Sequence, residues 1–386
     1  MNEDTKLPLW RLFDDIIAFS RLYLKNTNEL RMLIASYDRN LKLLDREGQV
    51  LQRCILKAPI EHGRVLTIPT TQRNWDNIAC IIVGCTRNGY LSFLDKNFNS
   101  KFSEDLSRNS FVGVSLLKSK PIREKEFVIV GSKDRINLYL INQSCELEKK
   151  AVIPLVGVPT DTLLYELKDQ YLLITVQKNP TGVNYFLLEK NTLETIDKRS
   201  VSDIINQTIV GVMNLDSYNK RFLIIAKNKL LWAFFDNNAV KIESKLTINS
   251  NIEWKCGSII ETDNKKNLIM GSQVGLNELK KKNLSVLYMI DLTTKTIIDE
   301  LKLPGWIKKM RILNIDSGIY SLILAGKRIF LVQIGESLKE ITNNKFDSVP
   351  WSLDILQGNK KVYVLIGFSN GEVALGELTT NLELRI

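Results

Sequence analysis

The chain has 386 residues, 44% of them hydrophobic and 25% charged, which is ample material for a core and excludes a wholly disordered polymer. Its formal net charge of +10, from 53 basic against 43 acidic residues, favours an acidic protein, a nucleic acid or an anionic surface as partner. The opening segment MNEDTKLPLW lacks the basic stretch and apolar run of a secretory signal, and no apolar run approaches the roughly 18 residues that cross a bilayer. A cytoplasmic protein without a membrane span is expected.

Taken in chain order, the first ambiguous stretch is LFDDIIAFSRLYL. There Leu12, Phe13, Ile16, Ile17 and Phe19 partly suit a helix. From that point one unit recurs: an apolar run that often ends in a small residue, a turn, and a second, alternating strand. It reads RMLIASYDRNLKLL, then NIACIIVGCTRNGYLSFL, EFVIVGSKDRINLYLI and YLLITVQKNPTGVNYFLL. It continues as RFLIIAKNKLLWAFF, NLIMGSQVGLNELKKKNLSVLYMI, YSLILAGKRIFLVQI and VYVLIGFSNGEVALGEL.

The first strands of these hairpins start at Met32, Ala79, Phe127, Tyr171, Phe222, Leu268, Tyr320 and Val362, so the period is 42 to 52 residues. Asn88–Gly89 and Asn370–Gly371 supply the positive φ of a tight turn. Asp45, Asp95, Asp236 and Asp291 each follow an apolar strand and are placed to bond their own turn backbone. A further apolar segment precedes every hairpin (IIAF, RVLTI, FVGVSLL, DTLLYEL, IVGVMNL, GSIIETD, IKKMRIL and SLDILQG), which makes four strands per unit.

The expectation is therefore an all-β chain, 1–386, forming a single β-propeller of eight four-stranded blades. The units lie around 10–55, 62–106, 110–155, 158–202, 207–248, 254–303, 306–343 and 351–386. Seven blades is the alternative, if the first unit is an extension. The closing strands, Val362 to Ile386, are expected to meet the first unit and close the ring.

The strand, Asp-containing turn, strand portion of the unit resembles the WD40-type and quinoprotein-like β-propeller superfamily over nearly the whole chain. The Trp75–Asp76 dipeptide lies away from the end of a third strand, and Gly-His occurs only reversed, as His62–Gly63. The resemblance implies an architecture and, mostly, a non-catalytic disc whose faces bind partners.

Catalytic chemistry has little to build on. His62 is the single histidine and reads as a loop residue, and no Gly-x-Ser-x-Gly elbow is present. There is no Cys-x-x-Cys, Walker loop, Gly-x-Gly-x-x-Gly or calcium loop, so neither metal nor cofactor is expected. Cys54, Cys80, Cys85, Cys145 and Cys256 are widely spaced and read as reduced thiols. Asp14–Asp15 reads as a solvent-facing turn or helix start.

One constellation stands above this background. Trp10, Trp254, Trp306 and Trp351 each stand just before the innermost strand of units one, six, seven and eight, which are neighbours in a closed ring, and Arg11, Lys255, Lys308 and Lys309 follow them. Large aromatics beside cations suit docking of an acidic protein partner, or stacking of single-stranded nucleic acid. The competing reading makes the indoles wedges between blades. Trp232 in LLWAFF reads as core, and Trp75 suits either role. The insertion VGLNELKKKN in the sixth unit adds a basic connection, whereas the scattered lysine pairs are mostly accounted for by solvated turns.

The function expected from these residues is a non-enzymatic scaffold or adaptor within a protein assembly. A nucleic-acid-binding propeller is the alternative, and a hydrolase or lyase with carboxylates at the channel is the second alternative.

Overall fold

The computed structural model describes residues 9–11, 17–25, 29–67, 74–84, 89–106, 113–141, 146–201, 204, 207–248, 252–262, 265–274, 284–358, 361–379 and 381–386. Asp14–Asp15, Cys85, Asn88, Cys145 and residues 275–283 of the sixth-unit insertion lie outside them, as do the side chains of Trp10 and Arg11.

Strand β1 (Leu9–Arg11) is followed by a first sheet of β2 (Ile17–Leu24), β3 (Leu30–Ser36), β4 (Asn40–Leu44) and β5 (Val50–Ile55). The second sheet is β6 (His62–Thr67), β7 (Ile78–Gly84), β8 (Tyr90–Leu94) and β9 (Ser100–Asp105). The third is β10 (Val114–Ile122), β11 (Lys125–Ser132), β12 (Arg135–Ile141) and β13 (Leu147–Pro154). The fourth is β14 (Val158–Glu166), β15 (Gln170–Lys178), β16 (Gly182–Glu189) and β17 (Thr195–Ser200). The fifth is β18 (Ile209–Asp216), β19 (Arg221–Ala226), β20 (Lys229–Asp236) and β21 (Ala239–Thr247). The sixth is β22 (Ile252–Thr262), β23 (Lys265–Val274), β24 (Leu284–Asp291) and β25 (Thr296–Pro304). The seventh is β26 (Ile307–Ile315), β27 (Gly318–Ala325), β28 (Arg328–Ile334) and β29 (Leu338–Lys345). The eighth is β30 (Pro350–Gln357), β31 (Val362–Phe368), β32 (Glu372–Leu378) and β33 (Leu384–Arg385), joined by β1.

Among the described residues there are thus eight antiparallel sheets, the eight blades expected, and the first unit is a full blade and not an extension. Every apolar segment that precedes a hairpin in the sequence is a first strand, and Ile17 and Phe19 sit on β2, a strand and not a helix. His62 begins β6, opposite Gly84.

The chain divides into two compact units. One holds the first, sixth, seventh and eighth sheets, and the other the second to fifth. Within each unit the first strands of successive sheets lie against one another, β22, β26, β30 and β2 in one and β6, β10, β14 and β18 in the other.

Burial follows from this stacking. Second and third strands are covered on both faces, so β15 and β16 are almost continuously buried and carry no alternation. Fourth strands such as β5 and β9 alternate between exposed and half-buried positions, because only one face is covered. The small residue that ends many apolar runs is explained by the next sheet. A Cβ on Gly84 would stand 2.9 Å from Val114 Cγ1, and one on Gly131 would stand 2.7 Å from Pro159 Cγ, closer than carbon atoms approach.

The turn between third and fourth strands is built by a side chain and a left-handed residue. Asp45 accepts from Gln49 N at 2.8 Å, Asp95 from Asn97 N and Asn99 N at 2.9 Å each, and Asp291 from Thr293 N at 2.7 Å. Asp236 departs from the expectation, its carboxylate taking the Asn237 and Lys241 side chains instead. Gly48, Phe98, Leu193, Lys295 and Leu382 take φ between 58° and 81° in these turns, and only the first is a glycine, so sequence alone flags one of five.

A charged clasp ties first strands together in each unit. Asp354 on β30, fully buried, accepts from Leu22 N of β2 at 3.1 Å and from Arg21 at 3.3 Å, with Arg311 of β26 at 3.8 Å. In the other unit Asp161 on β14 pairs with Lys118 of β10 and accepts from Val212 N of β18 at 2.9 Å.

Candidate partner-binding surface

The surface lies where β22, β26 and β30 begin. Each strand carries an extra residue near its start, with the register shifting between Trp254 and Cys256, between Ile307 and Lys309, and between Pro350 and Ser352. The inserted residues are Lys255, Lys308 and Trp351. A bulge leaves its extra residue out of the ladder and re-aims that side chain, so the structural equivalence runs through these three. The sequence had aligned the tryptophans instead.

Trp351 is 44% exposed, unusual for an indole. The Lys308 ammonium lies 5.1 Å from its ring centroid and donates to Pro350 O at 3.3 Å. Lys308 is half-buried, and burial lowers its pKa below the ordinary lysine value. No carboxylate among the described residues lies within ion-pair distance of it. A desolvated cation over an exposed ring is a strong form of the cation–π contact, and its unmet demand is an anion.

The other predicted residues distribute differently. Trp254 is 1% exposed and packs edge-on against Tyr288 at 5.5 Å, so it belongs to the interior and offers no docking area. Trp306 is half-buried in the connection before β26, its carbonyl accepting from Gly326 N at 3.0 Å. Lys255 is exposed and paired with Glu253 at 2.8 Å, and Lys309 is exposed. Trp10 and Arg11 are not at the entry to the first blade. They lie on β1, where Trp10 pairs with Val373 and Arg11 with Glu372, at the far edge of the eighth sheet from β30. A three-residue strand has too little periodicity to reveal its partner.

Trp232 is buried as core, and Trp75 is buried edge-on to Tyr23 at 5.7 Å. Among the described residues no group of three or more His, Cys, Asp or Glu side chains is placed to hold a metal ion. Cys54, Cys80 and Cys256 are free thiols, and burial pushes Cys256 up to about 11. No helix among the described residues is long and apolar enough to cross a membrane.

No protein-family model and no curated protein matches the sequence. Solved structures do match. The dihydro-heme d1 dehydrogenase NirN in complex with DHE is 12% identical with a TM-score of 0.65, covering 96% of this chain and 77% of that one. BamB from Moraxella catarrhalis is 12% identical with a TM-score of 0.57, covering 96% and 98%. The WD40 domain of SCAP from fission yeast is 8% identical with a TM-score of 0.57, covering 95% and 97%. At such identities the likeness shows the fold alone, and that fold is an all-β, WD40-like β-propeller of eight blades.

Proposed function

We propose that the protein is a non-enzymatic interaction module whose Trp351–Lys308 surface receives an acidic segment of a protein partner. One observation carries this reading: a half-buried lysine with no carboxylate at ion-pair distance among the described residues lies over a tryptophan that is 44% exposed. The indole offers rigid apolar area, and a partner carboxylate would supply the charge that Lys308 lacks, the pairing typical of interface hot spots. Both residues stand on first strands fixed by the Asp354 clasp, so little ordering is needed on binding.

The test uses the protein and a Trp351→Ala variant as parallel baits against an extract of the source cells, with quantified retention of each co-purifying chain. A specific partner should lose at least ~2 kcal/mol of binding with the variant, and its melting temperature should be unchanged. Lys308→Glu should slow association with the same partner. Equal retention by both baits would overturn the reading. Retention of single-stranded DNA, weakening steeply with salt, would favour the nucleic-acid alternative.

A further inference from the structure

We infer that the outer edge of β5 is a docking strip for a protein partner, which adds an extended segment as a further strand and sets an acidic side chain on Arg53. Each of the last strands β9, β13, β17, β21, β25 and β29 carries three charged residues. β5, with the sequence VLQRCI, carries one. Charges on an edge strand keep other chains from pairing with it, and β5 lacks most of that protection.

β5 also exposes apolar area. Val50 is 51% exposed, Leu51 43% and Ile55 59%, all on this one short strand. β25 exposes Ile297 and Ile298, but Asp299, Glu300 and Lys302 follow them in the same strand. β5 pairs with β4 along one side, and no described strand pairs with its other side. An open edge offers main-chain donors and acceptors, and the side chains beside it offer contacts at alternate positions of an added strand.

Arg53 chooses the occupant. It is exposed, its Nε donates to Asn40 Oδ1 at 2.6 Å, and no carboxylate among the described residues lies at ion-pair distance from it. Lys42, opposite on β4, is matched by Asp38 at 3.9 Å. Asp45, Arg46 and Glu47 before β5 and Lys57 after it carry two charges of each sign, so Arg53 is the surplus. The terminal nitrogens of a guanidinium match the two oxygens of a carboxylate. A second copy of this chain fits worse. Laid antiparallel with the greatest overlap, it sets Arg53 against its own counterpart, and like charges directly opposite destabilise a strand pair.

The experiment titrates the full-length protein with acetyl-Thr-Val-Thr-Glu-Thr-Val-Thr-amide and with the same peptide carrying Lys in place of Glu, following affinity and amide exchange. The Glu peptide should bind saturably, slow exchange within Val50–Ile55, and bind about tenfold tighter than the Lys peptide, the worth of one charge-assisted pair. Arg53→Glu should reverse that preference at an unchanged melting temperature. Trp351→Ala should leave the preference as it is, because the strip is separate from the Trp351–Lys308 surface. If Arg53→Glu does not fold, Ile55→Lys serves instead: it adds the kind of charge that the other last strands carry and should abolish the slowing of exchange. Equal affinity for the two peptides, slowed exchange only outside β5, or a dimer of the free protein with β5 protected would each overturn the proposal.

Discussion

The fourth and eighth sheets share a design and differ in how the last strand is supplied. In the fourth, β17 follows β16 directly and pairs with it from Asn184–Ser200 to Leu188–Thr195. In the eighth, the free edge of β32 is divided: β1 pairs with Glu372–Ala374, and β33 pairs with Glu377 and Leu378. One strand is local and continuous, while the other is assembled from segments more than 360 residues apart in the chain. The first costs a short turn to form; the second carries the loop-closure entropy of the whole chain and recovers it through few ladder bonds.

The turns leading into these last strands differ as well. Glu189 accepts from Asn191 N at 2.9 Å and from Thr192 N, whereas Thr379 Oγ1 accepts from Glu383 N at 3.1 Å at the corresponding place. One turn is held by a carboxylate and the other by a hydroxyl.

The severest way to break the comparison is to delete residues 362–386, which removes β31 to β33 and leaves β30 without a partner in its sheet. Apolar residues including Val364, Leu365, Ile366 and Leu375 would be lost from their clusters, and the protein should aggregate or lose cooperative unfolding. A monomer that unfolds cooperatively after this deletion would contradict the role given to the eighth sheet.

Next in size is the clasp. Asp354→Ala should destabilise by about 3 kcal/mol in urea unfolding, because it leaves the buried Leu22 amide without its acceptor, while Arg21 and Arg311 keep access to water. Asp161→Ala in the fourth sheet should cost less, since Asp161 and Lys118 both retain access to water. Equal costs would show that burial does not govern the clasp.

Removing residues 1–11 uncovers three positions on the edge of β32 and should cost about 2–3 kcal/mol, at roughly 1 kcal/mol per net hydrogen bond. Amide exchange should accelerate at residues 372–374 while the fourth sheet is unaffected. Uniform acceleration across all eight sheets would instead make β1 part of global closure.

The smallest effect is one of pH. The Thr192 backbone and side-chain hydrogen bonds hold the Glu189 carboxyl below its ordinary pKa. Its contribution to the turn is therefore present above the ordinary glutamate range and is lost as pH falls through the lowered value. Acid titration should move the Asn191 and Thr192 amides in that window, and Glu189→Gln should abolish the movement. A shift that survives in Glu189→Gln would show a cause other than Glu189.

Much of this was legible in the residues. The eight hairpins, their period and their first strands follow from apolar runs, Asx turns and small residues, since a strand covered on both faces needs an apolar run wherever it sits. The turn aspartates were found for the same reason, three of the four bonding their own turn backbone. The candidate surface was half legible. Trp351, Lys308, Lys309 and Lys255 lie where strands begin, but a tryptophan beside a lysine reads the same whether it is outside, as Trp351 is, or inside, as Trp254 is.

What the sequence by itself determined is the repeated unit and its strand count, because local propensity and turn chemistry act over a few residues. Only the tertiary structure decided the rest: that β1 completes the eighth sheet, that bulges align Lys308 with Trp351, and that Asp354 is buried between two arginines. Each of these depends on which segments meet across tens to hundreds of residues, and a one-residue change in register reverses which side of a strand a side chain faces.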